Sequence, residues 1–114
     1  MEQSRIESLS PIRTDRIGAG EAGGDIAIAL AIAAAERGDS DACYDLGVAY
    51  STGSHGLSSD LVEAHKWFNL AAARGHEEAA WCRADISTEM TARDIAEAQR
   101  RARAHLSTDA RQVA

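Results

Sequence analysis

The chain has 114 residues, room for one domain, and compact chains of this size bury only about two-thirds of their unfolded surface. A formal net charge of −6 sets it against phosphate backbones, so general nucleic-acid binding is not expected. With aromatics at 4% and alanine abundant in the middle, packing must come from close approach of helices, not from large side chains.

Residues 1–24 mix charges with Ser, Pro and glycines and end in GAGEAGG. That composition buries too little apolar surface to offset ordering entropy, so the segment reads as a flexible tail. It lacks the apolar core of a secretory signal. Pro11 is the lone proline, and nothing after it forbids continuous helices.

Asp25 is expected to cap a first helix running to Arg37, with Gly38 as its left-handed terminator. Its apolar stretch, Ile26 to Ala35, is too short to cross a bilayer. Asp39 or Ser40 caps a second helix that runs through Tyr50 and stops at Gly53. Asp60 opens a third through Arg74, stopped by Gly75, and a fourth runs from His76 to Glu89. Thr91 with Asp94 makes a capping-box-like start for a fifth, ending near Leu106, with a second flexible tail over 107–114. The connections are short, which implies antiparallel neighbours. In the third helix Leu61, Ala64, Trp67, Phe68, Ala71 and Ala72 recur at intervals of three and four, one apolar stripe. No segment alternates with period two, so the expected fold class is all-α.

The chain also matches itself. A shift of 37 residues lays Ala34-Ala35-Glu36-Arg37-Gly38 over Ala71-Ala72-Ala73-Arg74-Gly75, Ala27 over Ala64, Ala42 over Ala79 and Tyr44 over Trp81. Periods in the thirties with two helices per unit mark stacked helical hairpins. From Ala42 to Gly75 the chain places Ala42, Leu46, Gly47, Tyr50, Gly53, Gly56, Leu57, Asp60, Ala64, Trp67, Ala71, Ala72 and Gly75 in the pattern A-x3-LG-x2-Y-x2-G-x2-GL-x2-D-x3-A-x2-W-x3-AA-x2-G. This resembles the Sel-one-like repeat (SLR), a relative of the tetratricopeptide repeat, with Leu57 in place of a more usual valine. The resemblance covers residues 25–106: one full unit, a degenerate half-unit before it (Asp25 to Arg37) and an incomplete one after it. In the last, Arg83 and Ala84 replace the Leu-Gly pair and Ser87 the Tyr. It implies a short right-handed α-solenoid of about five antiparallel helices, with Trp67 and Tyr50 filling the spaces between hairpins. Arg83 marks the end of stacking, and the last helix then acts as a cap with Ile95, Ala98, Ala102 and Leu106 inward.

The same resemblance implies that the first helix of each hairpin lines a concave groove. The inward positions are then Asp41, Tyr44, Val48 and Ser51 on the second helix, and Glu78, Trp81, Asp85 and Thr88 on the fourth. Tyr44 and Trp81, equivalent by the repeat, read as neighbouring aromatic anchors among carboxylates, a surface for a basic or amide-rich partner segment. Tyr44 has a second reading, as ordinary inter-helix packing, and so has Trp81. The stretch Gln99 to His105 reads as a solvated face whose arginines suit the C-terminal helix dipole.

Other chemistry finds little support. Cys43 and Cys82 form no CxxC, and His55, His65, His76 and His105 show no tight ligand spacing, so no metal or other cofactor is expected. No nucleophile–base pair or phosphate loop is visible, so the chain is read as non-enzymatic. The resemblance implies a protein–protein interaction module: an adaptor, regulator or immunity-type protein holding a partner segment in its groove. The alternatives are a structural homo-oligomer built on exposed apolar edges and, weakest, a β-lactamase-like hydrolase. No membrane or nucleic-acid partner is expected. Secreted relatives often staple hairpins with paired cysteines, a pattern missing here, so the expected location is cytoplasmic. Lys66 is the single lysine among 12 basic residues, a bias that fits a GC-rich bacterial genome.

Overall fold

The computed structural model describes residues 24–113, and among them five helices follow one another without a strand. They are α1 (Gly24–Glu36), α2 (Ser40–Thr52), α3 (Leu61–Ala73), α4 (Glu77–Ser87) and α5 (Ala92–Val113). The fold is all-α and solenoid-like. Helix starts keep the sequence period: Gly24 to Leu61 and Ser40 to Glu77 are each a step of 37 residues. The expected N-terminal tail, residues 1–24, lies outside the described residues apart from Gly24, which opens α1.

Local chemistry explains the boundaries. Asp39 Oδ1 accepts the Ala42 N–H at 3.2 Å and Asp60 Oδ1 accepts the Glu63 N–H at 3.1 Å, each satisfying a donor that the first helical turn leaves open. Gly53 ends α2 in the left-handed region, φ 73°, where its N–H bonds the Ala49 carbonyl at 2.9 Å. At α5, Asp94 N–H donates to Thr91 Oγ1 (3.0 Å) and Thr91 N–H to Asp94 Oδ2 (3.4 Å), so the shorter acid completes the reciprocal box.

The core sits where α2 and α3 cross. Leu46, Val48, Cys43, Phe68, Leu70 and Cys82 are fully buried, and both cysteines are free thiols. Gly47 lets the backbone of α2 lie directly on the ring of Phe68, where a Cβ would stand 2.5 Å from two ring carbons. Trp67 is buried, as expected of the repeat, with Lys66 Nζ 4.2 Å from its ring centroid. Tyr50 is half-buried against the same core.

Two features differ from the sequence reading. First, α5 runs on to Val113 instead of ending near Leu106, so the expected separate tail from Ser107 is, over 107–113, more of this helix. No glycine or proline interrupts it, and Thr108 Oγ1 donates back to the Ala104 carbonyl at 3.1 Å. Second, α5 packs chiefly on α3 rather than on α4, its neighbour in the chain. The reason lies in what α3 offers. Glu63 Oε2 accepts Arg101 Nη1 at 2.6 Å, and the His105 ring stands edge-on to Trp67 at 5.7 Å. The far side of α4, by contrast, shows Ala84, Asp85 and Thr88 to solvent. Ala98 and Ala102 are buried as expected and Ile95 is half-buried, but Leu106 is 37% exposed and His105 takes the inner place.

Candidate functional site

The most distinctive surface lies where the N-terminal ends of α2 and α4 meet. There a shallow, open depression of about 520 Å³ is lined by Ser40 and Asp41 from α2, and by His76, Glu77, Glu78 and Trp81 from the start of α4. It follows from the repeat: the two first helices of successive hairpins begin side by side, and each brings acidic residues in its first turn. Carboxylates there complement the positive end of the helix dipole, so Asp41, Glu77 and Glu78 stabilise the helices and charge the depression together.

His76 holds this corner. Its Nδ1 accepts the Ala79 N–H at 3.2 Å as the N-cap of α4. In the neutral ring that leaves the proton on Nε2, which stands 3.4 Å from Asp41 Oδ1 across the joint. The ring also stacks on Tyr44, with centroids 4.5 Å apart and planes inclined by 11°. Tyr44 is therefore the floor beneath His76, not a wall of the depression. Its hydroxyl accepts the Cys82 S–H at 4.0 Å. Burial pushes the phenol pKa far up, and the nearby Cys82, Glu78 and Asp45 push the same way, so Tyr44 is a neutral packing group.

Trp81 is the opposite case. It lies one turn beyond Glu77 and Glu78 on α4 and is 57% exposed at the rim of the depression. A large aromatic beside three carboxylates can stack a guanidinium or ammonium on its face while the carboxylates take the charge.

Of the eight groove positions read from the sequence, Asp41, Glu78 and Trp81 come together here. Tyr44 and Val48 do not line a groove; both are buried. The correction has a simple cause. α2 is central, packed against α1, α3 and α4, and every residue from Ala42 to Ala49 is buried, so it has no free concave side along that length. Ser51 is half-buried and its hydroxyl donates to the Val48 carbonyl at 2.9 Å. Asp85 and Thr88 are exposed further along α4, and the Thr88 hydroxyl donates to the Asp85 carbonyl at 2.9 Å. Ser40, His76 and Glu77 were not among the eight. His76 was legible only as a helix start, because its stacking on Tyr44 spans 32 positions of the chain (Tyr44 to His76).

Among the described residues no group of three His, Cys, Asp or Glu side chains is placed to hold a metal ion, and no helix is long and apolar enough to cross a membrane. Comparison with known proteins bears on the same hairpin. No curated protein and no solved structure gives a significant match. Residues 40–76 match the family model of the Sel1 repeat. The matched span begins at the first residue of α2 and ends at the N-cap of α4, one full step of the internal period. Residues 40–76 are therefore a Sel1-like repeat, the one stretch of the chain that the family model covers.

Proposed function

We propose that the chain is a non-catalytic protein–protein interaction module, an adaptor or regulator that docks a cationic segment of a partner protein on the acidic depression. Sel1 repeats are generally interaction modules, and that is the role this family brings. The observation that carries the specific site is Trp81, a 57% exposed indole at the rim of a depression lined by Asp41, Glu77 and Glu78. An exposed aromatic at a rim of like charge can stack a cation of a partner, and aromatic anchors dominate many interfaces.

The test is capture of partner protein from cell extract by the immobilised chain, read by mass spectrometry. Trp81→Ala is expected to cost about 2 kcal/mol, a roughly thirtyfold loss of captured partner. Raising salt to about 0.5 M should weaken capture further, because exposed charges are screened within a few ångströms there. Capture that is indifferent both to Trp81→Ala and to Glu78→Lys would place the binding surface elsewhere on the molecule.

A further inference from the structure

We propose that the acidic depression is gated by pH through His76, which keeps it shaped for a cation only while its ring is neutral. The gate rests on the docking of a cationic segment proposed for that site. His76 is the N-cap of α4, and its Nδ1 accepts the Ala79 N–H at 3.2 Å. The repeat supplies a comparison. One period earlier, Asp39 caps α2 by accepting the Ala42 N–H at 3.2 Å, the same bond made to a carboxylate oxygen. An aspartate keeps its acceptors near neutral pH. Imidazole is the side chain that changes charge between about pH 5 and 8, and with both nitrogens protonated it donates on each side and accepts nothing.

A proton on Nδ1 therefore breaks the cap, and the surroundings offer no substitute. Ala79 is fully buried, so its N–H becomes an uncompensated buried donor unless the first turn of α4 shifts toward water. The ring is stacked on Tyr44 at 4.5 Å, and its Nε2 lies 3.4 Å from Asp41 Oδ1. An ion pair with Asp41 uses Nε2 and leaves the Nδ1 proton facing the Ala79 proton, so it does not restore the cap.

The other charged groups about the ring are Glu77 and Glu78 from α4 itself and Arg74 at the end of α3. Beneath it Tyr44 is neutral, and Asp45 and Cys82 adjoin that phenol. Two consequences of protonation point the same way. It adds a positive charge at the corner of the depression, against an incoming cation. It also loosens the turn that carries Glu77 and Glu78, with Trp81 one turn further on. The depression binds cations above the transition and releases them below it.

Nitrogen–proton correlation spectra of the full chain, recorded from about pH 8 to about pH 5 well below the unfolding temperature, test both halves. The Ala79 amide is expected to move with the titration of the His76 ring while the Ala42 amide stays in place. Both should stay in place in His76→Asn, whose oxygen caps a helix without titrating. Tri-arginine peptide is the cationic probe, followed by the indole N–H of Trp81. Its dissociation constant should rise at least about threefold from about pH 7.5 to about pH 5.5 in the wild type, and stay level in His76→Asn. An Ala79 amide indifferent to the ring's titration overturns the gate, as does a pH effect on peptide binding that survives His76→Asn. Equal movement of the Ala42 and Ala79 amides would assign the change to the whole fold through His65 and overturn it too. A peptide that binds at neither pH rejects the docking on which the gate rests, whatever the Ala79 amide does.

Discussion

A methyl group on Gly47 would stand 2.5 Å from the ring of Phe68, and Phe68 is fully buried with no room to yield. Two effects oppose each other in Gly47→Ala. Alanine gains roughly 1 kcal/mol of helix propensity over glycine, while forced overpacking costs about 1–3 kcal/mol or more. A clash against a fixed ring decides the sign. Gly47→Ala should lower the thermal midpoint by roughly 5 °C or more, read by circular dichroism; an unchanged or raised midpoint would mean that α2 and α3 are less tightly apposed. The glycine was legible in the sequence as part of the Leu-Gly pair. Which ring it admits was not, because Phe68 lies across the hairpin.

For the helices, the caps carry the boundaries. Asp60 is exposed and does one local thing, accepting the Glu63 N–H at the start of α3. Asp60→Ala should therefore cost about 1 kcal/mol in urea unfolding, and Asp60→Asn close to nothing, since either side chain can cap. Equal losses for the two would assign Asp60 a charge role instead. α5 is held differently. Glu97 accepts from both Arg100 and Arg101, which keeps its carboxyl pKa down at about 2, and Arg101 passes the link to Glu63 on α3. Aspartates before and glycines after made α2 and α3 readable within a residue or two; α1 opens at Gly24, with the expected cap Asp25 inside it, and α4 is capped by His76 and ends without a glycine. The end of α5 carries no such stop signal, and the composition of Ser107 to Ala114 was a poor substitute for one. The inward place of His105 over Leu106 was equally hidden. Both follow Ala98 and Ala102 at helical spacing, and the indole of Trp67 makes the choice.

The fold as a unit carries a pH dependence centred on His65. This imidazole is buried on α3 with Arg83 of α4 nearby, and its Nδ1 has no hydrogen-bond partner. Burial first, and the Arg83 charge second, lower its pKa below the ordinary value of 6.5. The unfolded chain therefore takes up this proton before the folded one. Stability is fully present above the ordinary value and is lost as pH falls through the lowered folded one. The thermal midpoint should drop between pH 7.5 and 5.5, and His65→Gln should flatten part of that drop. A slope unchanged by the substitution would assign the effect to other groups. Glu97 acts in a separate window, below the ordinary carboxylate range. The sequence by itself determined that the chain is helical, where four of its five helices lie, and that residues 40–76 form a Sel1 repeat. Periodicity, caps and small-residue spacing are local, and each is written within a few positions. Only the tertiary structure decided that α5 lies on α3, that Tyr44 is a floor while its repeat-equivalent Trp81 is 57% exposed, and that Ile26 and Leu30 on α1 keep more than half of their surface exposed. Those outcomes depend on which helix is central and which is terminal, and burial of a position is a property of its neighbours rather than of its own side chain.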